Sequence, residues 1–172
     1  MVITLVGCEK QTAEKNGLVI KSSIVKQSVN GWRVYTNPAF RYELRFPTDW
    51  KVADSGEDGL QAWFYSLAKD DKSLVTINSY SNWQENYIIE DFYARQPQDL
   101  FKAGYEKEVT KISEKNAYWF KGVKLPDGQA DVVAIDLDDR IIEIIVWDKW
   151  DEARTVINSL KFYPNKVIGD LK

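Results

Sequence analysis

Histidine is absent from the 172 residues, and cysteine occurs once, at position 8. No disulfide can therefore close within the chain, and no zinc site can be assembled from Cys and His. General acid–base work at neutral pH would fall to a retuned Asp, Glu, Lys or Tyr. A strong charge of one sign is missing too: 23 Lys and Arg stand against 26 Asp and Glu, a formal net charge of −3 spread in short mixed runs. Sequence-independent nucleic-acid binding depends on a basic block that neutralises phosphates, so no nucleic acid is expected as a partner. Nowhere does an apolar run approach the roughly 18–20 residues that span a bilayer.

What is present reads as one folded domain. Hydrophobic residues make up 44% and charged residues 28%, close to the globular average, and the length suffices to bury a single core. Aromatic residues are plentiful, with 7 Trp, 9 Tyr and 7 Phe. Such rings anchor cores and also supply binding surfaces.

The apolar opening ends in Leu5, Val6, Gly7 and Cys8, which resemble a bacterial lipobox. In that motif small residues admit a signal peptidase and the thiol accepts a diacylglycerol. Residues 9–30 are polar and contain Lys, Gln and Ser, as a spacer between a lipid anchor and a folded body would. Only seven residues precede Cys8 and none is basic, too short for a working signal peptide, so either the true start lies upstream or the leader has been trimmed. The competing reading makes residues 2–8 an apolar strand with a chance Cys in it. The lipobox reading places the protein in a bacterial cell envelope, on the extracytoplasmic side, attached to the membrane only by its lipid. The chain then divides into a signal remnant at 1–8, a spacer at 9–30, a globular domain at 31–163 and a polar tail at 164–172.

Within the body, apolar and polar residues alternate over Trp32 to Tyr35 and strictly over Phe40 to Pro47, with a turn signal at Asn37-Pro38. Further strands are expected over residues 60–67, 74–80, 106–112, 117–125, 130–137 and 141–147. Turn residues such as Asp58-Gly59, Lys115-Asn116, Asp127-Gly128 and Asp138-Asp139 bound them. Tight links of this kind make an antiparallel meander. The run Ile141-Ile142-Glu143-Ile144-Ile145-Val146 is apolar on both strand faces except at Glu143, so it should be an inner strand covered on each side.

Helices are the expected cover. One is read over residues 83–105, interrupted at Pro97, with Asn82 and Glu85 as a capping box. The other runs over 150–160, where Trp150, Ala153, Ile157 and Leu160 line one face and Asp151 and Glu152 favour the helix start. The predicted fold class is therefore α+β, an antiparallel sheet flanked by helices on both faces in an α/β/α sandwich. An all-β barrel with one helix outside explains the meander but not the doubly apolar strand.

Tyr35-Thr-Asn37, the stretch from Phe40 through Phe46-Pro47 to Trp50, and the closing Ser159-Leu160-Lys161-Phe162 resemble PsbP-like domains, over roughly residues 32–163. That resemblance implies a fold shared with a nuclear Ran-binding protein, an antiparallel sheet with helices on both faces. The family includes extrinsic subunits and assembly factors of photosystem II and many bacterial lipoproteins. The matching motifs are structural, so they speak for fold, and no photosynthetic role or metal site is carried over.

No catalytic, metal or cofactor site is expected. Asp127, Asp131, Asp136, Asp138 and Asp139 could suggest calcium, but they lack EF-hand spacing and read as solvated turns. Ser has no evident base, and no spacing singles out a carboxylate pair. The expectation is a protein that is not an enzyme. Trp83, Tyr87, Phe92, Tyr93 and Phe101 exceed what one helical face can bury and form the candidate binding surface for an unidentified protein partner. The alternative is a carrier holding a small hydrophobic ligand between the sheet and the first helix. Trp63, Trp119 and Trp147 are read as core.

Overall fold

Alternation builds nearly everything in the computed structural model, which describes residues 24–27, 30–55, 60–66, 73–81, 88–147 and 150–163. Cys8, most of the spacer, Trp83, Tyr87 and the tail lie outside the described residues. Strands β1 (Ile24–Gln27), β2 (Trp32–Asn37) and β3 (Tyr42–Pro47) follow one another. Then come β4 (Trp50–Asp54), β5 (Gln61–Ser66) and β6 (Ser73–Ser81), the short helix α1 (Ile89–Ala94), β7 (Lys107–Ile112) and β8 (Lys115–Leu125). The chain continues through β9 (Gly128–Asp136), β10 (Arg140–Val146), helix α2 (Trp150–Asn158) and β11 (Lys161–Phe162).

The strands form two antiparallel sheets, one of four strands in the order β1-β2-β3-β11 and one of seven in the order β4-β5-β6-β10-β9-β8-β7. The meander from β7 to β10 and the second run from β4 to β6 meet where β10 pairs with β6, from Arg140↔Ser81 to Val146↔Val75. Strand β1 lies in the segment read as spacer and adds to the edge of β2.

One face of the large sheet, here called inner, presents Phe64, Val75, Ile77, Ile142, Ile144 and Val146. Tyr35, Tyr42, Leu44 and Phe46 of the small sheet and Ala153, Val156, Ile157 and Leu160 of α2 close over it. Side chains from two sheets thus interdigitate as in a sandwich. Ser159 ties α2 to the strand edge: its Oγ accepts the Arg45 N–H at 2.8 Å while its own proton goes to the Val156 carbonyl in α2 at 2.6 Å. At the far end Arg41 and Arg140 both pair with Asp139, joining the β2–β3 turn to the β9–β10 turn. Burial raises the Asp139 pKa, but the hydrogen bond from Arg41 and the charge of Arg140 outweigh it and hold the carboxyl below its ordinary range.

The expected α/β/α sandwich is therefore corrected. Residues Ile141 to Val146 do need cover on both faces, but the inner cover is chiefly a second sheet, with α2 beside it, and the outer cover is the six-residue α1 and the aromatic residues that follow it. Alternation in β2 and β3 identifies strands but does not say which sheet they join. Of the first predicted helix, the described residues 88–105 are α-helical only over Ile89–Ala94, while residues 83–87 and the Asn82–Glu85 capping box lie outside the described residues. Beyond Pro97, Asp99 Oδ1 accepts the backbone N–H groups of Phe101 and Lys102, and Gly104 sits at φ +74°. These turn interactions satisfy the backbone without a helix while Leu100 and Phe101 still reach the core.

A bulge in β8 sets the curvature at the other end of the sheet. Register slips between Phe120 and Val123, and Gly122 adopts φ +63°. The buried Asp131 carboxylate holds the bulge by accepting the Gly122 N–H at 2.6 Å and the Trp119 indole N–H at 3.0 Å. Asp131→Ala strands both donors and is expected to cost about 2–4 kcal/mol in urea unfolding. Gly122→Ala should cost less, about 1–2 kcal/mol, because the left-handed backbone is strained while a new Cβ meets only the mobile end of Gln129.

Candidate functional site

The outer face of the large sheet carries the one polar interruption of β10. Glu143 Oε1 accepts the Asn78 amide at 2.8 Å and the Tyr80 hydroxyl at 3.2 Å, and Oε2 accepts the Tyr93 hydroxyl at 2.6 Å. Register explains the first two contacts: Asn78 stands directly opposite Glu143, and Tyr80 stands two residues further along the same face of β6. The third arrives from α1, which presents Ile89 and Tyr93 to the sheet. Gln61, opposite Asn78 on β5, donates to its Oδ1 at 3.0 Å and extends the row. A charged carboxylate with three donors is well satisfied and fixes where α1 docks.

Around this hub lies an aromatic cluster. Phe92 meets Tyr80 at 4.9 Å between ring centroids and Tyr93 at 5.1 Å, while Phe101 meets Phe120 at 4.9 Å and Tyr118 at 5.2 Å. Lys107 lies over the Phe101 and Tyr118 rings. Of the predicted surface residues, Tyr93 is 2% exposed, and Phe92 and Phe101 are half-buried in this second core. The structure thus brings Phe92, Tyr93 and Phe101 together, with the first and last at the rim. Trp83 and Tyr87 lie outside the described residues.

Towards β5 and β4 the same face has no helix over it among the described residues. Trp63 stands opposite Thr76, which stands opposite Ile145, and the Trp147 indole N–H donates to Thr76 Oγ1 at 3.3 Å. Tyr65, opposite Lys51, borders a shallow hollow of about 320 Å³ shared with Val52 and Ala53. Trp119 is core as expected, but Trp63 and Trp147 are half-buried on this outer face. The signal for this was in β5 itself. Gln61, Trp63 and Tyr65 alternate with Ala62 and Phe64, so every side chain with a polar tip falls on one face.

The acidic residues are dispersed. Asp131 secures the bulge, Asp136 accepts the Asp138 N–H, Asp139 pairs with two arginines, and Asp127 is an exposed turn residue. Among the described residues no group of three or more His, Cys, Asp or Glu is placed to hold a metal.

Burial, and then the charge of Glu143, raise the pKa values of Tyr80 and Tyr93 above the ordinary tyrosine range. The folded phenols keep protons that the unfolded chain releases above about pH 10. Their contribution to stability is thus complete below that pH and falls as pH rises through the folded values. Tyr93→Phe should lose about 1.5–3 kcal/mol at neutral pH, and its stability should decline less steeply than the wild type in alkaline denaturation curves.

No protein-family model and no curated protein matches the sequence. Solved structures do match. A crystal structure from Bacteroides thetaiotaomicron superposes with a TM-score of 0.53 at 18% identity, covering 77% of this chain and 48% of that one. This chain therefore spans about half the length of that protein. The solution structure of cyanobacterial PsbP (CyanoP) from Synechocystis matches with a TM-score of 0.52 at 16% identity, covering 88% of this chain and 98% of that one. At such identities the likeness is one of fold, and the fold of this chain is PsbP-like.

Proposed function

We propose that the chain is a non-catalytic accessory module of a bacterial cell envelope, lipid-anchored through Cys8 on the extracytoplasmic side and docking on a membrane-associated protein. The observation that carries this reading is the distribution of apolar side chains around α1. Ile89 and Tyr93 face the sheet, yet Ile88 at the start of the helix is 57% exposed and the half-buried Phe92 lies one turn along from it. A six-residue helix with apolar side chains on both sides has spare binding surface. The lipobox-like residues before Cys8 and the PsbP-like fold support the address and the accessory role. Carriage of a small hydrophobic ligand under α1 draws no support from that interface, where aromatic centroids stand 4.9–6.4 Å apart.

A photo-crosslinking residue at exposed position 91, one turn along α1 from Ile88, in the full-length protein in native membranes, should capture one recurrent membrane protein. Ile88→Lys should abolish that capture while leaving stability within about 0.5 kcal/mol, as exposed substitutions do. Cys8→Ser should release the protein from the membrane fraction. An unchanged crosslink pattern in Ile88→Lys would remove the docking surface, and unchanged membrane retention in Cys8→Ser would remove the anchor.

A further inference from the structure

The open side of the outer face combines two features that the α1 ridge does not. Its rings, Trp63, Tyr65 and Trp147, are half-buried and so held in place while each keeps part of its surface accessible. Beside them runs a line of planar hydrogen-bonding groups, Gln61, Asn78 and Glu143, locked to one another at 3.0 and 2.8 Å. Thr76 joins the two sets, accepting from Trp147 and bonded to Ser73 Oγ at 3.2 Å. Trp63 on β5 and Trp147 at the end of β10 flank β6, two strand spacings (about 9.5 Å) apart across the sheet and offset along it, Trp63 level with Thr76 and Trp147 with Leu74.

The charge and polarity of this surface select among ligands. Among the described residues, one carboxylate, already satisfied by three donors, and one rim cation, Lys51, leave the platform close to neutral. Neither an anion nor a cation finds a concentrated partner there. A lipid chain laid over the polar row would strip water from the exposed Gln61 and the half-buried Glu143 and offer nothing in return. A ligand with flat C–H faces and hydroxyls around its rim meets both features at once, stacking on indole and phenol rings while exchanging hydrogen bonds with amide and carboxylate. Gln61 is exposed and uses one N–H on Asn78, so its second N–H and carbonyl oxygen can meet a hydroxyl.

We infer that the open half of the β5–β6–β10 face, bearing Trp63, Tyr65, Trp147 and Gln61, is a binding platform for a neutral oligosaccharide laid across the strands. The hollow beside Tyr65 and Ala53, about 320 Å³, extends the platform towards β4 and is large enough to seat a further sugar ring. This site is separate from the α1 ridge, so it stands or falls independently of the docking proposal.

The test is a calorimetric and tryptophan-fluorescence titration of the purified full chain with two soluble probes, a linear β-linked gluco-oligosaccharide and a linear N-acetylglucosamine oligosaccharide. Saturable heat and a fluorescence change with at least one probe are expected. Trp63→Ala should weaken that binding about tenfold or more, the range of a ring at the centre of an interface. Trp63→Tyr should retain most of the affinity. Gln61→Ala, at an exposed position that leaves folding intact, should weaken binding about threefold to tenfold. Ile88→Lys should leave it unchanged. The inference is overturned if neither probe binds at millimolar concentration, if binding survives both Trp63→Ala and Gln61→Ala, or if a photo-crosslinking residue at exposed position 53, beside Tyr65, captures a protein in native membranes.

Discussion

Strand β10 carries apolar side chains on both of its faces, and covering both at once is the constraint on which the rest of the structure depends. Ile142, Ile144 and Val146 look inward, and Ile141 and Ile145 look outward. A two-layer fold would leave one of these sets in water. The chain meets the inner demand with the four-stranded sheet and α2, and the outer demand with α1 and the aromatic residues that follow it. Because β10 also joins the two runs of the large sheet, losing either cover would loosen both halves together.

Glu143 shows what the same strand does where it is not apolar. The carboxylate sits between the covered and open halves of the outer face, where three donors converge on it. It marks a boundary: Tyr93 and α1 lie to one side, and Asn78, Gln61 and the exposed edge of the platform to the other. Burying an unpaired carboxylate would be prohibitive; Asn78 and Tyr80 of β6 pair with it from the sheet, and α1 brings the third donor, Tyr93, as it covers the site. The structural hub and the proposed binding surface therefore share a residue. This couples the order of the sheet face to the order of its polar row.

The strands were legible because period-two alternation is a local property of the chain. Residues from Tyr42 to Pro47 declare themselves in this way, the run from Ile141 to Val146 declares itself instead by being apolar on both faces, and the turns between β7, β8, β9 and β10 carry the residues that turn chemistry demands. The region from Ile89 to Tyr105 was harder, since Phe92, Tyr93, Leu100 and Phe101 recur at nearly helical spacing whether the backbone is helical or not. Asp99 decided it by offering its carboxylate to the following backbone amides. The candidate surface was partly legible for a similar reason. Aromatic content pointed to Phe92, Tyr93 and Phe101, but which rings close the core and which stay at its rim depends on what packs above them.

By itself the sequence determined that the chain has no disulfide and no histidine chemistry, that it folds as alternating strands around one doubly apolar strand, and that it carries a single cysteine after an apolar opening. Only the tertiary structure decided that β1, β2, β3 and β11 form a separate sheet, that this sheet shares the cover of the inner face with α2, and that Trp63 and Trp147 stand on the outer face. Side-chain alternation along a strand is set by the neighbouring residues and can be read locally. The choice of sheet partner and of covering layer is set by contacts between residues as far apart as Arg45 and Ser159 or Arg41 and Asp139, and no local pattern encodes those pairings.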